Sequence, residues 1–172
     1  MEKKVRVGII GCGGIANGKH LPSIKKLADQ GILEIVAFCD LIEEKAVKAA
    51  KEYGTPDAKV YTDYKELLKD ESIESIHVCT PNRSHCEITV AALEAGKHVL
   101  CEKPMASNAR EVRAMIEASR RNGVALMEAV KTTLTPNFMA LREALPKAGT
   151  LRRYFSAFCQ YSSRYDKFKE GV

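Results

Sequence analysis

From Val5 to Met127, short apolar runs alternate with longer segments in which apolar residues recur at helical spacing. The runs Val5–Ile10, Leu33–Cys39, Lys59–Tyr61, Ile73–Cys79, His98–Cys101 and Val124–Met127 are mostly rich in Val and Ile. Near-continuous apolar strands of this kind are buried on both faces, as in a parallel sheet whose crossover helices cover each side. The helical segments carry matching start signals: Asp40 with Glu43, Asp63 with Glu66, Ser84 with Glu87 and Asn108 with Glu111 all have capping-box spacing. Gly54, Gly96 and Gly123 follow three of these segments and are expected to turn left-handed there. The pattern predicts an α/β, doubly wound parallel sheet.

Two stretches fit less simply. Pro22 falls inside the first helical segment and must kink or interrupt it. Beyond Met127 the pattern changes: Pro136–Leu145 reads as a helix and Leu151–Tyr161 as a long strand, with Leu151, Phe155, Ala157 and Cys159 on one face. The expected organisation is a domain over 1–128 and, over 129–172, the first helix and strand of a second, incomplete α/β domain.

With 172 residues and 45% hydrophobic content, the chain can bury a core of ordinary size without staples. No apolar run is long enough for a secretory leader or a membrane span, so a soluble cytoplasmic protein is expected. The net charge is +5, concentrated near the C-terminus, but no nucleic-acid recognition motif accompanies it and a solvated surface is the plainer reading. Six cysteines lie scattered, with no C-x-x-C pair and no metal-ligand spacing to the four histidines. They read as reduced and structural, although Cys12 and Cys101 fall close enough to the candidate site for oxidation to impair binding.

The first strand runs into Gly11-Cys12-Gly13-Gly14-Ile15-Ala16, a G-x-G-x-x-A turn that opens a helix. Gly11 permits the tight turn, Gly13 lets a pyrophosphate approach the backbone, and Ala16 lets helix and strand pack closely. The helix N-terminus adds N–H donors and partial positive charge. Asp40, ending the second strand, is placed to accept the ribose hydroxyls of an adenosine and to repel a 2′-phosphate, which favours NAD over NADP. These are the marks of a Rossmann dinucleotide site. Thr80-Pro81-Asn82, His85 and Glu102-Lys103-Pro104 follow the fourth and fifth strands, on the edge where open α/β sheets bind ligands.

Together, Gly11–Ala16, Pro81-Asn82 with His85, Ala95-Gly96-Lys97-His98-Val99, Glu102-Lys103-Pro104 and Met127-Glu128-Ala129 resemble the glucose–fructose oxidoreductase, inositol dehydrogenase and rhizopine-catabolism family, Gfo/Idh/MocA. The resemblance runs from about Val5 to Pro136. It implies a nicotinamide-dependent oxidoreductase that transfers hydride to or from a secondary alcohol of a sugar, polyol or related small molecule, and a homo-oligomer at full length. It places Thr80 and Asn82 beside the nicotinamide ribose, Glu102 against the cofactor, Lys103 between nicotinamide and substrate as the catalytic cation, and Glu128 at the nicotinamide end. His85 reads equally as a cofactor contact or a packing residue at a helix start; His20, His77 and His98 read as structural. No metal is expected.

The chain departs from the family at Thr133, where many members carry arginine, and it stops before the region where the family places its Asp and His acid/base pair. It is expected to bind cofactor without a complete active site. A nicotinamide-sensing module and an interaction protein built on a relic scaffold are the competing readings.

Overall fold

The computed structural model describes residues 3–157, 159, 162 and 165–171. Its strands are β1 (Val5–Ile10), β2 (Leu33–Cys39), β3 (Lys59–Tyr61), β4 (Ser75–Val78), β5 (His98–Cys101) and β6 (Leu126–Glu128), all parallel in the order β3-β2-β1-β4-β5-β6. This is the doubly wound Rossmann order. Because the order reverses beside β1, the loops after β1 and β4 diverge to opposite faces and leave a crevice at the C-terminal edge of the sheet.

The connecting helices are α1 (Leu21–Asp29), α2 (Glu43–Tyr53), α3 (Tyr64–Leu68), α4 (His85–Glu94) and α5 (Ala109–Asn122). Alternation along each strand feeds two cores. Val7, Ile9, Leu33, Ile35 and Phe38 pack with Leu21, Ile24, Ala46 and Ala49 of α1 and α2. Ile10, Ile76, Val78, Val99 and Cys101 pack with Leu67, Ile88, Leu93 and Met115 of α3, α4 and α5. Each large apolar side chain removed from water this way contributes about 1.5–3 kcal/mol.

Several local expectations change. The fourth strand is shorter than Ile73–Cys79: Ile73 is buried in the core ahead of the pairing. The sixth lies two residues later at its start than Val124, whose N–H instead closes the helix before it by bonding Ser119 O. Asp63 and Asn108 cap their helices as read, and Glu111 answers by accepting the Ser107 N–H. Asp40 and Ser84 do not cap. Asp40 spends its carboxylate on the glycine turn and on Ile42 N–H, and Ser84 Oγ turns back onto Pro81 O. Gly96 and Gly123 are left-handed, but Gly54 has φ −79°. Its requirement is space, since a Cβ there would stand 2.7 Å from Ala50 O and from Ala58 Cβ.

The interruption expected at Pro22 is a change of helix type. Residues Ala16–His20 form a π-helical turn that runs without a break into α1 at Leu21, so Pro22, which has no N–H to donate to the preceding turn, follows directly on a stretch whose bonding has shifted to the wider π pattern, with the Leu21 N–H on Ala16 O. Lys97, from the family-like Ala95–Val99 stretch, has a structural task. Its buried ammonium donates to the carbonyls of Asp70 and Ile73, both at 2.8 Å, and burial pulls its pKa below the usual lysine range.

The chain divides into two units, Met1–Val130 and Lys131–Val172. In the second, α6 (Pro136–Ala144) matches the expected helix and a short α7 spans Tyr165–Lys169. In the described part of the expected Leu151–Tyr161 strand, 151–157 has no regular structure, and Tyr154 and Phe155 are exposed. Phe158, Gln160 and Tyr161 lie outside the described residues. Alternating apolar bulk suits a strand, but strand backbone is stabilised by a neighbour's N–H and C=O groups, and no ladder partner stands beside it among the described residues. No helix is long and apolar enough to cross a membrane among the described residues.

Candidate functional site

The glycine turn leaves β1 at the crevice. Gly11 donates to Cys39 O at 2.8 Å and takes φ +93°, and a Cβ on it would lie 2.7 Å from the Cys79 carbonyl carbon. Only glycine satisfies both constraints. A Cβ on Gly13 or Gly14 would meet nothing within 4 Å, so the backbone there faces open space. Ala16 is fully buried, as the close helix–strand approach requires.

Two side chains hold this cradle. Asp40 Oδ2 accepts the Cys12 N–H at 2.8 Å while Oδ1 accepts that of Ile42 at 2.9 Å. Asn17, in the π-helical turn, donates from Nδ2 to Cys12 O at 2.6 Å and to Gly13 O at 3.0 Å. The sequence reading missed Asn17, although π turns inside helices recur at functional sites. Each oxygen of the Asp40 carboxylate keeps a further acceptor position. An open, Cβ-free turn at a helix start with a carboxylate on its lip fits the pyrophosphate and ribose of a dinucleotide.

The β4 and β5 loops complete the edge. Thr80 Oγ1 lies 2.9 Å from Ser84 Oγ, and Pro81 and Asn82 are exposed. Glu102 is only 7% exposed. Its Oε1 lies 2.7 Å from His20 Nε2, and its Oε2 accepts the Lys103 N–H at 3.0 Å. Lys103 itself is exposed, and its bond to Pro104 is cis. Glu128 Oε1 accepts the Met105 N–H at 2.7 Å, pinning the following loop to the end of β6. His85 is 1% exposed, with its ring nitrogens 2.8 Å from Thr80 O and 2.9 Å from Pro104 O.

His20, read from sequence as structural, is thus the partner of Glu102. It packs edge-on against His77 with ring centroids 6.1 Å apart. Burial, and then the His20 charge, press the His77 pKa from 6.5 to about 4. The thiols are passive: burial followed by the Asp40 charge pushes Cys12 and Cys39 up to about 12, and burial pushes Cys101 to about 11 and Cys79 higher still. No group of His, Cys, Asp and Glu suited to a metal ion occurs among the described residues.

The family model for GFO_IDH_MocA, the oxidoreductase family with an NAD-binding Rossmann fold, matches residues 5–130. The chain belongs to this family. Among its relatives is scyllo-inositol 2-dehydrogenase (NADP(+)) IolU of Bacillus subtilis (strain 168), 40% identical over 168 residues that cover 98% of this chain and 49% of IolU. Inositol 2-dehydrogenase of Salmonella typhimurium is 36% identical over 72% of this chain and 36% of its own length. The crystal structure of the WlbA dehydrogenase from Bordetella pertussis, in complex with NADH and UDP-GlcNAcA, superposes with TM-score 0.76 at 25% identity, over 85% of this chain and 43% of that one. The chain spans about half the length of IolU and less of these other relatives.

Proposed function

We propose that this chain forms the dinucleotide-binding part of a nicotinamide-dependent dehydrogenase that oxidises a secondary alcohol of a sugar or polyol, or reduces the corresponding ketone. The observation that carries this reading is the Cys12 N–H···Asp40 Oδ2 bond at 2.8 Å, which fixes a ribose-accepting carboxylate on the lip of the open Gly13–Gly14 cradle. Gly11 to Ala16 hold the pyrophosphate and Asp40 the adenosine ribose. Thr80, Pro81, Asn82 and Glu128 border the nicotinamide end. The 129–172 segment, in this reading, opens the substrate and oligomerisation domain.

The nicotinamide, when bound, accepts or donates the hydride. The protein's part is positioning and charge. As hydride leaves a CH–OH carbon its hydroxyl proton becomes acidic, and the exposed Lys103 ammonium stabilises the alkoxide character that develops. In this reading Glu102, held by His20 at one oxygen and by the Lys103 backbone N–H at the other, contacts the cofactor through a remaining acceptor position.

The relatives divide over cofactor: IolU is named for NADP(+), and WlbA was crystallised with NADH. Asp40 supports NAD here, since an anion at the ribose repels a 2′-phosphate and the first cation after it is Lys45, inside α2. Inositol dehydrogenases among the relatives support a cyclic polyol as substrate.

Fluorescence titration of the chain with NADH and NADPH tests the reading. Saturable binding with NADH the tighter ligand is expected. No binding up to millimolar cofactor overturns it, and tighter NADPH overturns the role given to Asp40. Assay of the chain against a polyol panel separates a catalytic unit from a binding module.

A further inference from the structure

β4 and β5 run side by side, with Val78 opposite Cys101, and leave the sheet as two loops that carry Thr80-Pro81-Asn82 and Glu102-Lys103-Pro104. Their last backbone tie is the Glu102 N–H on Val78 O at 2.9 Å. Past that point the strand ladder no longer sets their spacing. The imidazole of His85, the first residue of α4, stands between them: Nε2 is 2.8 Å from Thr80 O and Nδ1 is 2.9 Å from Pro104 O.

We infer that His85 is a positioning residue that fixes the distance between these loops, and so between Asn82 and Lys103, by donating from its ring to their carbonyls. The inference rests on reading this edge as the dinucleotide site. Carbonyl oxygens only accept, so the ring must be the donor, and holding both loops takes a proton on each nitrogen. At 1% exposure no water replaces these bonds when they are lost. Two stranded carbonyls would seek partners by moving, and each loop would shift with its own. The same burial gives His85 no open face toward a cofactor, so its influence passes through Thr80 and Pro104.

The sequence contains the elements of this tie, but their separation hides it. Pro104 lies 19 residues from His85, with α4 and β5 between them.

Two substitutions separate hydrogen bonding from bulk. H85F keeps a flat ring without donors, and H85Q keeps an N–H donor on a flexible stem. With both confirmed folded by circular dichroism, H85F is expected to weaken NADH binding about tenfold, a loss of the size that unpairing buried polar groups produces, and H85Q to recover most of that loss. H85F binding like the wild type overturns the inference, and so does H85Q as weak as H85F, since that marks a volume effect. Nitrogen-15 NMR of the wild-type chain without cofactor supplies a readout independent of both variants. Protected ring N–H signals on both His85 nitrogens are expected, and the absence of either overturns the tie. If the wild type binds no NADH, the dinucleotide reading falls while these ring N–H signals still judge the link between the loops.

Discussion

His20 Nε2 lies 2.7 Å from Glu102 Oε1, joining the π-helical turn after the glycine cradle to the loop that carries Lys103. Both side chains are about one-tenth exposed, so the pair is shielded from competing water. Replacing His20 by alanine leaves a buried carboxylate with one partner fewer. H20A is expected to destabilise the fold by about 1–3 kcal/mol, and the double variant H20A/E102Q to lose less than the sum of the single ones. Urea unfolding of the four proteins measures this; additive losses would show that the two groups act separately.

The glycines of the cradle should respond in opposite ways. G11A places a methyl against the Cys79–Thr80 peptide at a residue with φ +93°, and should cost about 2 kcal/mol or more of stability. G13A meets no protein atom within 4 Å. It should change stability by under about 1 kcal/mol while cofactor affinity drops, because the methyl occupies the space in which phosphate would sit. Thermal midpoints and NADH titrations of both variants distinguish a structural glycine from a ligand-facing one.

His77 gives the fold an acid-sensitive component. Its folded pKa is about 4 against an ordinary 6.5, so between those values the unfolded chain takes up a proton that the folded chain refuses. Stability therefore falls as pH falls through this window and is fully present above it. The loss attributable to His77 is on the order of 3 kcal/mol by pH 4. Urea midpoints measured from pH 7 down to 4.5 should show the decline, and H77Q should flatten it; an unchanged slope in H77Q would assign the effect to other groups.

Thiol reactivity should follow burial. Cys12, Cys39, Cys79 and Cys101 are buried and Cys159 is exposed. The raised pKa values of the four leave little thiolate near neutral pH. Brief treatment of the folded chain with iodoacetamide should label Cys159 first and leave those four intact by mass spectrometry. The oxidation sensitivity expected from the positions of Cys12 and Cys101 is accordingly low in the folded state. Rapid loss of NADH binding on mild oxidation, with Cys12 modified, would contradict that.

The succession of Val- and Ile-rich runs with capped helical segments determined the parallel sheet, because these are local signals: a strand buried on both faces must be apolar throughout, and a helix end must satisfy its own orphan groups. The glycine turn was legible for the same reason, since Gly11, Gly13 and Ala16 act through backbone conformation and size within six residues. Tertiary structure decided what depends on neighbours distant in sequence. Asp40 was read as a helix cap and ribose acceptor; its hydrogen bond to Cys12 became visible only with β1 and β2 side by side. His20 finds Glu102 across 82 residues, a separation at which no periodicity links them. The strand expected from Leu151 illustrates the converse, for alternating apolar residues can favour extended backbone but cannot supply the second strand that gives it hydrogen bonds. Propensity belongs to the residues, whereas pairing, burial and the charge felt by a side chain belong to whatever the fold sets beside it.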